Sequence, residues 1–318
     1  MNRTSLVFRV VVGFLLPLAG SALARVPVGA AFLSEPMSVR QMGMGNISMG
    51  GGPDVLRSWW NPALLDRQGL LCEVAVNGAS EISDEIRTVG VGVGLKLSPA
   101  VHVGVLLGGR DFSTPEVNAA GDYAGNDLGR RGYAGGVVTS LRTGWLVSGL
   151  SVKGVSDEVD GDSVACVAAD AGLAFVISGI EAGVSLRNFG SQPRPGESLP
   201  MELCAGTASR LMAAGLLAGT RVGAEYSITR GREGRLGIGL EFRPVSSFGL
   251  RAGLAGVAAG DHAVTFGFSG RFGRVVVDYA LAARDIGPSH RASVSVSLGE
   301  ASGAETAPPK APPKPETP

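Results

Sequence analysis

Ala292-Ser293-Val294-Ser295-Val296-Ser297-Leu298 decides the fold class, because every second side chain is apolar and each one between is serine. Period two places successive side chains on opposite faces of a strand, so this stretch has one oily face and one polar face. The segment before it repeats the pattern. Val275, Val277, Tyr279 and Leu281 share one face, and Val276, Asp278 and Ala280 share the other. The same reading holds for 89–97, where glycines and Lys96 fill the second face, and for 180–187, where Glu181, Gly183, Ser185 and Arg187 do. It holds again for 236–243 and 248–254.

Working outward, about fourteen such segments follow one another, each near the ten residues that a tilted membrane strand requires. They lie near 70–78, 86–97, 101–109, 131–142, 144–153, 164–177, 179–188, 200–210, 213–227, 235–243, 247–256, 261–271, 274–283 and 289–298. Connections after odd strands read as longer (79–85, 111–130, 154–163, 189–199, 228–234, 257–260, 284–290), and those after even strands as tight turns. An even strand count with long loops on one side and short turns on the other is how an outer-membrane barrel is strung. The expected fold is all-β: a transmembrane antiparallel up-and-down β-barrel over 70–299. A soluble sandwich or barrel also alternates. Against it stand the strand count, the loop asymmetry and an export signal.

That signal occupies 1–24. Arg3 and Arg9 precede an apolar run at 10–19, and Ala22-Leu23-Ala24 has the small-x-small pattern cut by signal peptidase. The run falls short of the roughly 20 apolar residues a spanning helix needs. The first cysteine is Cys72, which leaves a lipoprotein anchor unsupported. At the other end, 300–318 is rich in proline, alanine and lysine and reads as a disordered periplasmic tail.

Composition excludes several function classes. The 28 basic and 28 acidic residues cancel, so nucleic acid is not an expected partner. Three separated cysteines, Cys72, Cys166 and Cys204, form no metal-type pair. No phosphate loop and no HExxH occur, and His102, His262 and His290 sit at lumen-parity or rim positions. A site built on His262 and Asp261 is the one catalytic arrangement imaginable. No enzyme activity, metal or cofactor is expected. The 49 glycines disfavour helices, each costing about 1 kcal/mol relative to alanine. Aromatics, at 6 %, are sparse for a barrel with aromatic girdles.

The polar faces carry Lys96, Glu181, Arg187, Glu225, Arg251, Arg271 and Asp278, and also His102, Asp170, Arg221, Glu241 and Arg243. These form either a selectivity surface or mutual pairs that fill the interior. Between signal and barrel, the segment within 25–69 is not strand-like, and Trp59-Trp60-Asn61-Pro62 is its most pointed stretch. Asn61-Pro62 favours a turn or helix start, and two tryptophans are too apolar for a water-filled pore. They are expected as a luminal plug anchor or ligand contact, with simple packing as the alternative.

Arg40-Gln41-Met42-Gly43-Met44-Gly45-Asn46, then Pro53-Asp54, then Trp59-Trp60-Asn61-Pro62-Ala63-Leu64 resembles the PorV/PorQ family of outer-membrane proteins, relatives of FadL-type fatty-acid transporters. Asp170-Ala171-Gly172-Leu173, Leu186-Arg187-Asn188-Phe189-Gly190, Gly223-Ala224-Glu225-Tyr226, Leu250-Arg251-Ala252-Gly253 and Val277-Asp278-Tyr279-Ala280 look like that family's later strands. Leu64-Leu65 departs from the Gly-Leu that follows Asn-Pro-Ala there, and the acidic stretch shrinks to Gly50-Gly51-Gly52-Pro53-Asp54. The resemblance implies an N-terminal segment tucked into the lumen. It also implies two functions: carriage of hydrophobic or small solutes across the outer membrane, or a non-conducting partner for secreted proteins. Outer-membrane lipid is the expected surrounding in both.

Overall fold

A computed structural model describes residues 28–52, 54–67, 72–81, 86–117, 123–177, 179–211, 219–257, 262–285 and 287–298. The expected signal peptide and tail lie outside the described residues. The chain forms one closed barrel of fourteen antiparallel strands, each paired with its sequence neighbours, with the first strand paired to the last. The strands are β1 Cys72–Glu81, β2 Ile86–Lys96, β3 Val101–Val117, β4 Tyr123–Thr143, β5 Leu146–Val159, β6 Asp162–Ile177 and β7 Ile180–Gly190. They continue as β8 Glu202–Arg210, β9 Thr220–Thr229, β10 Arg235–Val245, β11 Phe248–Ala255, β12 Ala263–Phe272, β13 Val275–Arg284 and β14 Gly287–Leu298. Connections after odd strands form a loop rim, and those after even strands form a turn rim.

The faces follow the alternation. Val276, Asp278 and Ala280 are buried inside, whereas Val294, Phe266, Phe268, Leu150 and Val152 are 45–63 % exposed on the outer wall. Soluble monomers rarely expose contiguous apolar patches beyond a few hundred Å². Here an apolar belt circles the molecule, as a lipid-facing barrel requires.

Three of the expected long loops are largely strand instead, one of them 284–290, where β13 runs to Arg284 and pairs with Gly287 at the start of β14. β3 and β4 continue to Val117 and from Tyr123, and β5 and β6 meet at a two-residue turn. In that turn Asp160 and Gly161 have φ of 50° and 90°. An Asp-Gly pair suits a hairpin turn that needs positive φ at both central residues. The dipeptide was the missed signal. Period two fades over 111–130 and 154–163, which leaves these strand extensions unmarked in the amino-acid sequence. β3 to β6, at 17, 21, 14 and 16 residues, form the tall side of the barrel. On the turn rim, the expected start of β9 near 213 lies outside the described residues.

Residues 28–67 thread the lumen from rim to rim. Gly29 N donates to Ser198 O (3.1 Å) in the β7–β8 connection on the loop rim. β1 then begins beside the turn rim, where Cys72 pairs with Leu298 and Leu95. Within this plug are one helical turn, Val39–Gly43, capped by the Ser38 side chain, and 3-10 turns at Ala31–Ser34, Val55–Trp59 and Pro62–Arg67.

Wall glycines make room for plug backbone. A Cβ on Gly149 would stand 2.2 Å from Ala63 N, and one on Gly239 2.2 Å from Met44 O. Neither neighbour can retreat without moving the main chain. Gly149→Ala should therefore cost about 1–3 kcal/mol, the usual penalty of overpacking. It should also expose the plug to added protease in detergent. Gly154→Ala, whose nearest neighbour would be a carbonyl at 3.9 Å, is the control that should change neither. Equal protease resistance of both variants would refute close docking.

Candidate functional site: the plugged lumen

The plug brings two chemistries into the barrel. On the tall side, Phe32, Leu33, Met37, Val55, Leu56, Trp59 and Trp60 pack against Leu106, Ala134, Val138, Val155 and Cys166 of β3–β6. Trp59 is 1 % exposed, and the Lys153 ammonium stands 4.7 Å from its ring centroid. The Arg187 guanidinium lies 4.3 Å from that of Trp60. Both contacts are cation–π pairs that strengthen when desolvated. Asn61 Nδ2 donates to Leu173 O and Val184 O (3.4 Å each), and its Oδ1 accepts from Ala63 N at 3.0 Å. Pro62 then opens the next 3-10 turn, where a missing N–H is harmless. The structure thus places all four residues of the Trp-Trp-Asn-Pro stretch at the wall. Neither indole N–H has a hydrogen-bond partner.

Beside and opposite this cluster the lumen is charged. Arg251 Nε meets Glu241 at 2.9 Å, and its Nη1 meets Asp278 at 2.9 Å. Arg243 reaches Glu241 at 3.2 Å, and Arg40 of the plug reaches Asp278 at 3.3 Å. Arg187 pairs with Glu202 (2.6 Å) and Lys153 with Asp170 (2.9 Å). A bulge between β6 and β7, where Asn188 has φ 55°, lets Asn188 N donate to Asp170 at 2.8 Å. Of the lumen residues expected from sequence, Glu181, Arg187, Glu225, Arg251 and Asp278 are buried among these contacts. Lys96 and Arg271 share their parity but are half-buried near the turn rim. The interior is therefore filled largely by pairs, several of which the plug completes.

Glu35, Arg40, Asp54 and Arg57 carry the plug's share; the sequence marked Arg40 and Asp54 only as parts of the family-like boxes and gave none of the four a role in the lumen. Glu35 meets Arg110 at 3.1 Å and Arg291 at 3.6 Å. Burial alone would push its carboxyl up, but Arg110, Arg291, Arg284 and Arg235 together hold it down to about 2. Burial pushes the Asp54 carboxyl up, although it accepts from Ser38 Oγ and from Leu56 N at 2.9 Å. Arg57, 1 % exposed and lowered to about 10 by burial, donates to Ser48 O (3.0 Å) and Gly51 O (2.7 Å). One guanidinium thus orders the turn before it. Charged residues inside a nonpolar-looking segment were the only available signal.

The histidines are dispersed. His102 is buried, His262 is exposed with Nδ1 3.0 Å from Gly256 O, and His290 points outward to Tyr279 Oη at 2.7 Å. Tyr279 also stacks on Phe268 at 5.3 Å, a small aromatic patch on the outer wall. Asp261 lies outside the described residues. Among the described residues no group of three His, Cys, Asp or Glu side chains could hold a metal ion.

The wall beside the apolar cluster is thin. Outside it runs a groove of about 660 Å³, flanked by Val89, Leu107 and Tyr133 with Gly135, Gly154 and Ala165 among its lining. Ala134, Val155 and Cys166 line the groove and also belong to the inner cluster.

No family model matches the chain, and no curated protein does. Among solved structures, the toluene transporter TodX of Pseudomonas putida aligns with TM-score 0.62 at 12 % identity, over 86 % of this chain and 98 % of that one. The toluene transporter TbuX of Ralstonia pickettii aligns with TM-score 0.61 at 13 % identity, over 84 % and 98 %. A FadL homologue of Pseudomonas aeruginosa gives 0.58 at 10 % identity, over 87 % and 100 %. At such identities the likeness is one of fold: this chain has the β-barrel architecture of FadL-type outer-membrane transporters.

Proposed function

We propose that the protein resides in the outer membrane and carries small hydrophobic solutes across it, and that the arrangement described is its closed state. One observation carries this reading: only small side chains separate an apolar, tryptophan-bearing interior from an apolar groove that faces lipid. A hydrophobic solute leaving the cluster through that wall would never cross the charged half of the lumen. The toluene transporters with the same fold support the solute class. In the same reading, residues 1–24 direct export, 300–318 form a periplasmic tail, and the Gly43-Met44-Gly45 and Asn61-Pro62-Ala63 boxes support a likeness to PorV/PorQ proteins. No described feature favours a secreted-protein partner.

Cells lacking the protein should take up labelled toluene several-fold more slowly than cells carrying it, with the protein recovered in the outer-membrane fraction. Gly154→Leu, which fills the groove from outside, should slow uptake in the same direction. Unchanged uptake accompanied by an altered set of secreted proteins would overturn the reading.

A further inference from the structure

The barrel mouth at the turn rim carries a ring of basic side chains. β2 ends on Lys96, and β4, β8, β10 and β12 hold Arg142, Arg210, Arg243 and Arg271 at or within two residues of their ends. Each stands two residues beyond a buried inward-facing residue, so all five belong to the lumen face rather than the lipid face. In a barrel strung this way the turn rim faces the periplasm.

On one side of that mouth lies a cavity of about 330 Å³, with Gly50, Glu181, Ala208, Arg210 and Arg221 in its lining. Arg210 closes β8 beside the turn, so the cavity opens to the turn rim. Arg210 and Arg221 are register partners across β8 and β9. Directly opposite residues of an antiparallel pair have Cβ atoms about 4.5–5.5 Å apart, and like charges there repel. Arg221 is 8 % exposed, and its Nη1 donates to Gly50 O at 3.2 Å. Glu181, which accepts from Gly50 N at 3.1 Å, is the carboxylate that lines the same space.

The neighbouring carboxylates have no surplus to offer. Glu241, the register partner of Arg221 on β10, stands 4.0 Å from Arg221 but is shared with Arg251 (2.9 Å) and Arg243 (3.2 Å). Asp278 is shared between Arg251 (2.9 Å) and Arg40 (3.3 Å). Among the described residues this connected cluster holds five guanidinium groups, those of Arg40, Arg210, Arg221, Arg243 and Arg251, against the carboxylates of Glu181, Glu241 and Asp278. Arg57 and Asp54 of the plug add one charge of each sign. Buried positive charge in excess of its counter-charges is strongly destabilising, and a bound anion supplies what the side chains lack.

We infer that the cavity beside β8 and β9 is a binding site for a small oxyanion of the phosphate class, held by Arg210 and Arg221 and entered from the turn rim. Guanidinium forks present paired N–H groups that match paired oxyanion oxygens. Water takes about 30 Å³ in the liquid, so 330 Å³ admits a phosphate with several of its waters. Both arginines have the lumen parity, so the anion comes from solution and not from a lipid headgroup. The basic ring raises its local concentration at the mouth. The site is separate from the tryptophan cluster, and its failure would leave the transport proposal intact.

Equilibrium dialysis of the purified full-length protein in detergent against radiolabelled inorganic phosphate is the test. Wild type should bind in a single saturable class that excess chloride displaces poorly. Arg210→Gln should weaken binding about tenfold or more, the loss of one charge-assisted contact. Glu181→Gln should strengthen it severalfold, because it removes the competing charge and keeps an acceptor for Gly50 N. Arg271→Gln, on β12 and away from the cavity, should change it less than about twofold, since salt screens distant charges. Heat-modifiable migration on gels establishes that each variant barrel is folded, and Glu181→Gln decides the matter if Arg210→Gln is not. Folded wild type without saturable binding would overturn the site. So would weaker binding by Glu181→Gln, or equal losses from Arg210→Gln and Arg271→Gln, which would reveal a diffuse cationic mouth.

Discussion

Glu241→Gln should destabilise the folded barrel by about 3–5 kcal/mol, the cost of leaving buried charge uncompensated. Glu241 is fully buried and stands 2.9 Å from Arg251, 3.2 Å from Arg243 and 4.0 Å from Arg221. Arg40 of the plug faces the same group through Asp278, at 3.3 Å. Neutralising Glu241 leaves four guanidinium groups against one carboxylate. Gln keeps the shape and loses the charge, so the effect isolates electrostatics. Urea titration in lipid vesicles, followed by tryptophan fluorescence, measures the loss by linear extrapolation. Pairing Glu241→Met with Arg251→Met should recover part of it, because apolar packing replaces the bridge without a desolvation cost. A loss below about 1 kcal/mol would mean that the cluster is hydrated like a surface pair.

Val294→Arg should cost about 2–4 kcal/mol, provided the site lies near the bilayer midplane. Val294 is 47 % exposed on the outer wall and pairs laterally with Val76 and Val277. An arginine there has acyl chains around it and a long reach to either headgroup region. Ser295→Arg, one residue on, points into the lumen and should cost much less. The contrast between adjacent positions is what matters, because it reverses the rule of soluble sheets. Equal costs at the two sites would remove the lipid-facing assignment, as would a chain that stays monomeric and folded in buffer without detergent.

Plug and wall are held together by two kinds of contact. Pairs between plug and wall, such as Arg40 with Asp278, hold the interior shut. Apolar contacts around Trp59 hold the rest of the plug.

Strand number, order and facing were legible in the amino-acid sequence, because alternation is a local property of consecutive side chains. Val294 and Ser295 declare their faces without reference to any other strand. The parity of Glu181, Arg187, Glu225, Arg251 and Asp278 was equally local. Which charge meets which was not: Arg40 reaches Asp278 across 238 positions, and Ala30 N reaches Asp157 across 127. Glycine 149 reads in sequence only as a residue that avoids helices, and the tertiary structure alone shows the plug backbone that forbids it a side chain. The path of residues 28–67 was likewise invisible, since such a segment has no period of its own. Its course is decided by the barrel that encloses it, where buried charges and apolar rings find partners only once the wall is closed.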